Sequence, residues 1–215
     1  MQGTLDHPSP ARPPAITGDT RERTALALVR AALEHARRPV LTTNFRPGAV
    51  ALLHLVQRVR RGIPVIWVDT GYNTTTTYRY AAALEARLGL ALKTCMPRVS
   101  PARWVALHGP PPRPGEATFE RFVEDFKLEP FRRAFDELHP DLWLTGIRRG
   151  QTAYRDTLGI RSRGYGGVTR LAPLFEWTDA DVAGYLARHA LPDNHDYVDP
   201  TKPGSTLECG LQQQQ

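Results

Sequence analysis

Pro39-Val-Leu-Thr-Thr-Asn-Phe-Arg-Pro47 and Pro64-Val-Ile-Trp-Val-Asp-Thr-Gly71, with the apolar run from Ala49 to Arg60 between them, decide the fold. Pro39–Thr43 is apolar and β-branched, which reads as a buried strand. Asn44-Phe45-Arg46 is a polar turn, and Pro47 sits where a helix accepts proline at its first position. Val50, Leu53, His54, Val56 and Gln57 follow at mixed helical spacings, apolar around most of the circumference. Pro64–Val68 is a second buried-strand run, closed by Asp69-Thr70-Gly71. Strand, polar loop, helix, parallel strand and a loop bearing a carboxylate predict an α/β, doubly wound, mostly parallel sheet. Ligands of such sheets bind at the carboxyl ends of the strands, where Thr42–Phe45 and Asp69–Tyr72 both fall.

The chain has 215 residues with 41% hydrophobic content, enough for one domain with a sizeable core. A formal charge of +6 and a sequence pI near 9.7 suit an anionic ligand, nucleotide or nucleic acid, and equally describe a soluble basic surface. The 2 cysteines, Cys95 and Cys209, exclude a disulfide framework and a four-thiolate cluster within one chain. No apolar leader or membrane-length run is visible, so the expected compartment is the cytoplasm.

Residues 1–18 are polar and rich in proline and read as a loose arm. Asp19 with Glu22 resembles a capping box that opens a helix to about Arg37. Thr75–Leu88 is the next crossover helix, closed by Gly89, and Leu90–Cys95 a third strand. Arg98–Glu116 reads as loop, with short helices at Ala117–Phe126 and Pro130–Leu138. Asp141–Thr145 is the fourth strand and Gly167–Leu171 a fifth. Thr178, with Asp181 three residues on, caps a helix through His189. The α/β domain is expected over 19–191, and 192–215, poor in apolar residues, as a mobile tail.

Chemistry is carried by three places. Thr42, Thr43 and Asn44 offer hydroxyls and amides at a helix N-terminus, a setting that suits an anion and also an ordinary cap. Arg148, Arg149 and Arg155 follow strand 4, where guanidinium forks suit phosphate or sulfate oxygens, although a solvated basic loop has the same composition. Cys209 lies far from any core run; it is either incidental or a nucleophile that reaches a bound electrophile. Cys95 ends an apolar strand and reads as packing. His54 reads as a satisfied interior group, while His189 and His195 flank the last loop.

These residues carry a resemblance. Thr42-Thr-Asn-Phe45 with Ala49–Val56, Ile63-Pro-Val-Ile-Trp-Val-Asp-Thr-Gly-Tyr72 with Thr77-Tyr78-Arg79, Gly146-Ile-Arg-Arg-Gly-Gln-Thr152 with Arg155, and Glu208-Cys-Gly-Leu211 resemble the phosphoadenosine phosphosulfate reductases and their adenosine phosphosulfate relatives. The similarity spans about Leu26 to Leu211 and implies a sheet of the adenine-nucleotide alpha-hydrolase (PP-loop) type. It implies substrate contacts from Thr42, Thr43, Asn44, Phe45, Asp69, Thr70, Gly71, Tyr72, Gly146, Arg148, Arg149, Gln151 and Arg155, with Cys209 as nucleophile. The reaction implied has two stages: Cys209 attacks the sulfonucleotide sulfur, and thioredoxin or glutaredoxin then reduces the S-sulfocysteine and frees sulfite. A homodimer is the family expectation; the two-cysteine count leaves no iron–sulfur cluster expected, and no membrane or nucleic-acid partner is expected.

The chain departs from the family at Arg46, where glycine is usual, at Gln212, where histidine is usual, and in a short segment between Asp199 and Glu208. Iron–sulfur members carry a cysteine pair where Phe122-Val123 stands, which by analogy favours the phosphoadenosine substrate over adenylyl sulfate. Two other readings compete. An ATP-cleaving adenylyltransferase subunit of the same fold requires a Ser-Gly-Gly-x-Asp-Ser loop that Thr42–Gly48 lacks. A basic nucleic-acid module would interleave aromatic and basic residues, a pattern not present here.

Overall fold

The computed structural model describes residues 18–202, so the expected arm up to residue 17 and the chain from 203 to 215, Cys209 included, lie outside the described residues. In chain order the elements are α1 (Gly18–His35), β1 (Pro39–Thr43), α2 (Ala49–Gln57), β2 (Pro64–Val68), α3 (Thr75–Leu88), β3 (Ala91–Cys95), α4 (Pro101–His108) and α5 (Phe119–Val123). One π-helical turn, Glu124–Leu128, leads into α6 (Glu129–Leu138), followed by β4 (Leu142–Leu144), α7 (Ala153–Asp156), β5 (Arg161–Arg163), β6 (Thr169–Leu171) and α8 (Asp179–Arg188). The strands form one sheet in the order β3-β2-β1-β4-β6-β5, parallel except for β5.

The two-residue period of the strands divides the core into two layers. Leu41 pairs with Val65 on one side and Leu144 on the other, and all three face the layer that α1, α2, α3 and α8 cover. Their neighbours Val40, Ile66 and Trp143 point the other way, onto Phe131, Ala134 and Phe135 of α6. Those three positions recur at i, i+3 and i+4, one face of a helix. Burial on both sides explains why β1, β2 and β4 read as continuous apolar runs rather than alternating ones.

Several expectations change. Asp19 lies inside α1 rather than capping it, and Glu22 serves no capping box. Its carboxylate is drawn instead to Arg58, to Arg188 at 3.2 Å and to His189 at 3.1 Å, joining α1 to α2 and α8. The loop expected over Arg98–Glu116 contains α4, started by Ser100, whose hydroxyl accepts the Arg103 N–H at 3.2 Å, and by Pro101 at the first turn. Trp104 anchors α4 by packing on Phe122 and Phe126. The arginine-rich strand β5 was not expected; it extends the sheet antiparallel to β6. By contrast the Thr178–Asp181 capping box of α8 and the left-handed Gly89 after α3 are as read from the sequence.

Arg170 on β6 is buried, with its Nε donating to Ser162 Oγ at 2.9 Å and its guanidinium over the Trp143 ring. Gly164 lets the chain pass against that ring, since a Cβ there would lie 2.6 Å from Trp143. Gly164→Ala is therefore expected to destabilise the fold by about 1–3 kcal/mol, read as a shift in the urea midpoint.

The α1–α2–α8 junction also sets a pH dependence. His54 Nδ1 lies 2.8 Å from the Tyr185 hydroxyl, and burial, with His189 and Arg58 nearby, pushes the imidazole down to about 4. Burial works to raise the Glu22 carboxyl, but Arg58, His189 and Arg188 outweigh it and hold the group at about 2. Both values lie below the ordinary ones, so acid protonates the unfolded chain first. The His54 contribution is complete above its ordinary value near 6.5 and is lost as pH falls through about 4. The Glu22 contribution is lost further down, toward about 2. Replacing His54 with Gln should flatten the fall in thermal midpoint between roughly pH 7 and 4.5 relative to the parent chain.

Candidate active site

The strand order reverses at β1. From it the chain runs outward through β2 to β3, then returns to place β4 on the other side of β1. α2, which leaves β1, packs on one face of the sheet and α6, which returns the chain to β4, on the other, and a crevice opens above the carboxyl ends of the two strands. A cavity of about 830 Å³ occupies it, walled by the loop after β1, the loop after β4, the start of α8, Lys127 and the segment 195–202.

The first loop is built by short side chains that bond to their own backbone. Thr43 Oγ1 accepts the Phe45 N–H at 3.2 Å and Asn44 Oδ1 the Arg46 N–H at 3.3 Å. Thr42 Oγ1 accepts from Trp143 Nε1 at 2.9 Å. Phe45 adopts a left-handed φ of 54°, uncommon for a bulky residue. Its ring is fully buried edge-on against Trp67, and Asn194 Nδ2 donates to its carbonyl at 2.9 Å. Thr42, Thr43, Asn44 and Arg46 line the cavity, whereas the ring of Phe45, expected among the substrate contacts, belongs to the core. Gly48 has no side chain to cap α2, and its N–H donates instead to Asp193 Oδ1 at 2.8 Å.

The loop after β2 is organised around the Asp69 carboxylate. Asp69 Oδ1 accepts from the Gly71 N–H at 2.9 Å, from Asn73 Nδ2 at 2.8 Å and from the Tyr78 hydroxyl at 2.8 Å. Burial and the Asp69 carboxylate push that phenol up to about 12. Thr70 is buried, Gly71 turns the chain at φ 75° against Pro101, and Tyr72 packs on Phe122 and Phe126. Asp69, Thr70, Gly71 and Tyr72 thus stand on the same sheet edge but outside the cavity wall.

Beyond β4, Gly146, Arg148, Gln151 and Arg155 all reach the wall. Gln151 organises them: its Oε1 accepts the Arg148 N–H at 3.0 Å and the buried Arg155 guanidinium. Arg148 also donates to the Trp177 carbonyl at 3.1 Å and to Asp179 at 2.5 Å, a hydrogen bond that holds the Asp179 carboxyl below its ordinary value. Arg149 does not join them; it lies over the Phe175 ring and pairs with Glu176 at 2.8 Å.

The segment from Pro192, expected as the start of a mobile tail, is anchored through residue 202 by polar side chains. Asn194, 1% exposed, reaches both the Phe45 carbonyl and Thr77 Oγ1, the latter at 3.0 Å. The Tyr197 hydroxyl accepts from Asn44 Nδ2 at 2.9 Å and donates to Asp199 at 3.1 Å. Asp199 pairs with Lys127 at 2.9 Å, and His195 and Lys202 stand on the rim. Lys127, Tyr197, Asp199 and Asn194 were not singled out from the sequence; for the last three the polar residues after Pro192 were the available signal, and for Lys127 there was none. Cys95 is buried, its thiol pushed up by that burial, and Cys209 is outside the described residues. Among the described residues no three His, Cys, Asp or Glu side chains are grouped as metal ligands would be.

Residues 38–198 match the phosphoadenosine phosphosulfate reductase domain. A phosphoadenosine 5'-phosphosulfate reductase of Synechococcus sp. is 42% identical over 170 residues, covering 75% of this chain and 70% of the relative. The enzyme of that name from Xanthomonas campestris pv. campestris is 40% identical over 162 residues, covering 75% and 67%. Among solved structures, a phosphoadenylyl-sulfate reductase from Candida auris shares the fold with a TM-score of 0.69 at 23% identity, over 82% of this chain and 87% of that one. A Candida glabrata FMN adenylyltransferase shares it at 0.60 and 14%, over 82% and 57%. A U34-tRNA thiolase from Methanococcus maripaludis, solved with a [4Fe-4S] cluster, follows at 0.57 and 13%, over 87% and 69%. The sheet is of the PP-loop type, and the chain belongs to the phosphoadenosine phosphosulfate reductase domain family.

Proposed function

We propose that this protein reduces 3'-phosphoadenylyl sulfate to sulfite and adenosine 3',5'-bisphosphate, with Cys209 as nucleophile and thioredoxin or glutaredoxin as electron donor. The observation that carries the reading is the cavity at the strand-order reversal. Its wall holds five cationic side chains, Arg46, Lys127, Arg148, Arg155 and Lys202, against two carboxylates, Asp179 and Asp199. An excess of guanidinium and ammonium groups beside a helix N-terminus suits a ligand with several phosphate and sulfate oxygens. That excess favours the sulfonucleotide bearing a 3'-phosphate over adenylyl sulfate. The names of the relatives point to the same substrate.

The chemistry follows from the thiol. The Cys209 thiolate attacks the sulfur of the sulfonucleotide; an S–S bond forms, the S–O bond to the phosphate breaks, and the nucleotide leaves with that electron pair. The cationic wall stabilises the charge that develops on the leaving phosphate. An external dithiol then attacks Cys209 Sγ, expels sulfite and closes its own disulfide, regenerating the thiol. Cys95 is buried and poorly placed to supply the second thiol. Lys202 stands on the cavity rim and Cys209 is seven residues further along, a span of up to roughly 25 Å when extended, so the nucleophile is within chain reach of the cavity. A cytoplasmic homodimer belongs to the same proposal and rests on the family alone. No helix among the described residues is long and apolar enough to cross a membrane.

Two measurements test this reading. Given 3'-phosphoadenylyl sulfate and no reductant, the intact protein should gain the mass of one SO₃ on the peptide that holds Cys209, and thioredoxin should remove it as sulfite. A label on Cys95, or turnover by Cys209→Ser, would overturn the assignment. Arg148→Ala should weaken binding of adenosine 3',5'-bisphosphate by about 1.5–3 kcal/mol, tenfold or more by calorimetry, whereas Arg149→Ala should bind like the parent chain.

A further inference from the structure

Trp143 on β4 is fully buried in the layer that α6 covers. Its ring packs on Phe131 and Phe135, with centroids 5.3 and 5.2 Å away, and carries the Arg170 guanidinium. These contacts fix the direction of the indole N–H, which points to Thr42 Oγ1 at 2.9 Å. Thr42 shares its face of the sheet with Val40, two residues back, and with its register partner Ile66. It also lines the cavity, on a side that Ile66, Val68 and Phe131 line as well.

An indole nitrogen donates and cannot accept. Thr42 Oγ1 is therefore the acceptor of this bond, and one of its lone pairs is spent on Trp143. A hydroxyl proton turned toward the indole would meet the indole proton, so that orientation is closed. Among the described residues no acceptor takes the Thr42 proton; the bond from Trp143 is the one hydrogen bond its side chain makes. Satisfying a buried indole requires only an acceptor, and a backbone carbonyl would serve. What the threonine adds is a proton left over at the cavity wall. The bond also holds χ1, because rotation would put the threonine methyl where the hydroxyl stands.

We infer that Trp143 is a positioning residue for the ligand: it fixes the Thr42 rotamer and turns the hydroxyl proton toward the cavity, where Thr42 donates it to an anionic oxygen of the bound nucleotide. The assignment rests on the reading of the cavity as a site for an anionic nucleotide. A hydrogen bond to an ionised acceptor is stronger than one between neutral groups. Bonds in series strengthen one another, so donation by Thr42 to an anion makes its oxygen a better acceptor for the indole. Ligand binding is thereby reported at a nitrogen that the ligand does not touch.

The chain has 4 tryptophans, Trp67, Trp104, Trp143 and Trp177, few enough for ¹⁵N-indole labelling to separate them. Saturation with adenosine 3',5'-bisphosphate should move the Trp143 Nε1 proton resonance downfield. Inorganic phosphate, which has no ring of its own to disturb neighbouring resonances, should do the same. The shift should persist in Thr42→Ser and vanish in Thr42→Val. By calorimetry Thr42→Val should bind the nucleotide about tenfold more weakly than the parent chain, and Thr42→Ser nearly as well as it. Trp143→Phe keeps an aromatic ring for Phe131 and Phe135 but has no N–H. It should weaken binding severalfold, and adding it to Thr42→Val should cost no further affinity.

An indole resonance unmoved by either bound anion, a shift that persists in Thr42→Val, or losses that add in the double variant would overturn the inference. If Trp143→Phe does not fold, the indole resonance and the two threonine variants decide on the same terms. If phosphate moves the indole as expected but the nucleotide does not bind, Trp143 and Thr42 keep their roles toward an anion and the reading of the cavity as a nucleotide site falls. A parent chain that binds neither phosphate nor nucleotide would overturn both.

Discussion

A parallel strand ends with its carbonyls and amides facing the same way as those of its neighbours, and the only place where two such ends part is where the strand order reverses. In this protein that place is the carboxyl end of β1, between β2 and β4. The crossover helices α2 and α3 pack on one face and α6 on the other, because each return connection keeps the same hand. The cavity follows from that geometry, and the loops after β1 and β4 face each other across it by topology rather than by any contact of their own.

What fixes those loops is polar satisfaction rather than apolar packing. The turn at Phe45 uses a backbone conformation that a bulky residue avoids, a cost of about 1–3 kcal/mol in sites of this kind. Two groups offset it: the aromatic contact with Trp67 inside the core, and the Asn194 amide on the carbonyl outside. Asp193 accepts the Gly48 N–H and so ties the residue ahead of α2 to the segment after Pro192. Residues 193–199 therefore complete the first loop from a distance of about 150 positions in sequence, the separation that joins Asn194 to Phe45 being 149.

That separation explains what was legible in the sequence. Buried strands such as Pro39–Thr43 and Pro64–Val68 declare themselves by apolar content, and the Thr178–Asp181 pair declares a helix start by local chemistry. The arginines after β4 were legible as a group, but not that Arg149 turns to Phe175 while Arg155 turns inward, since a guanidinium is indifferent to which face it leaves from. Glu22 had the spacing of a capping residue, and tertiary partners on α2 and α8 took it instead. The segment after Pro192 has few apolar residues and so carried no sign of being ordered; its order comes from side-chain hydrogen bonds whose partners lie on distant loops. Asp69 was legible by residue type and strand end, but not that its Oδ1 would gather three local donors, Gly71, Asn73 and Tyr78.

The two outer strands have a consequence for how copies of this chain can meet. β5 closes one margin of the sheet antiparallel to β6, with only three residues, two of them exposed arginines. β3 closes the other, and Lys93 on it is held by Glu137 of α6. Short, charged margins discourage a neighbouring molecule from adding its own strand, because the incoming backbone would have to strip water from fixed charges. Any self-association is thereby directed to helices and loops. Two copies meeting that way would each keep a separate sheet, with no continuous ladder joining their crevices.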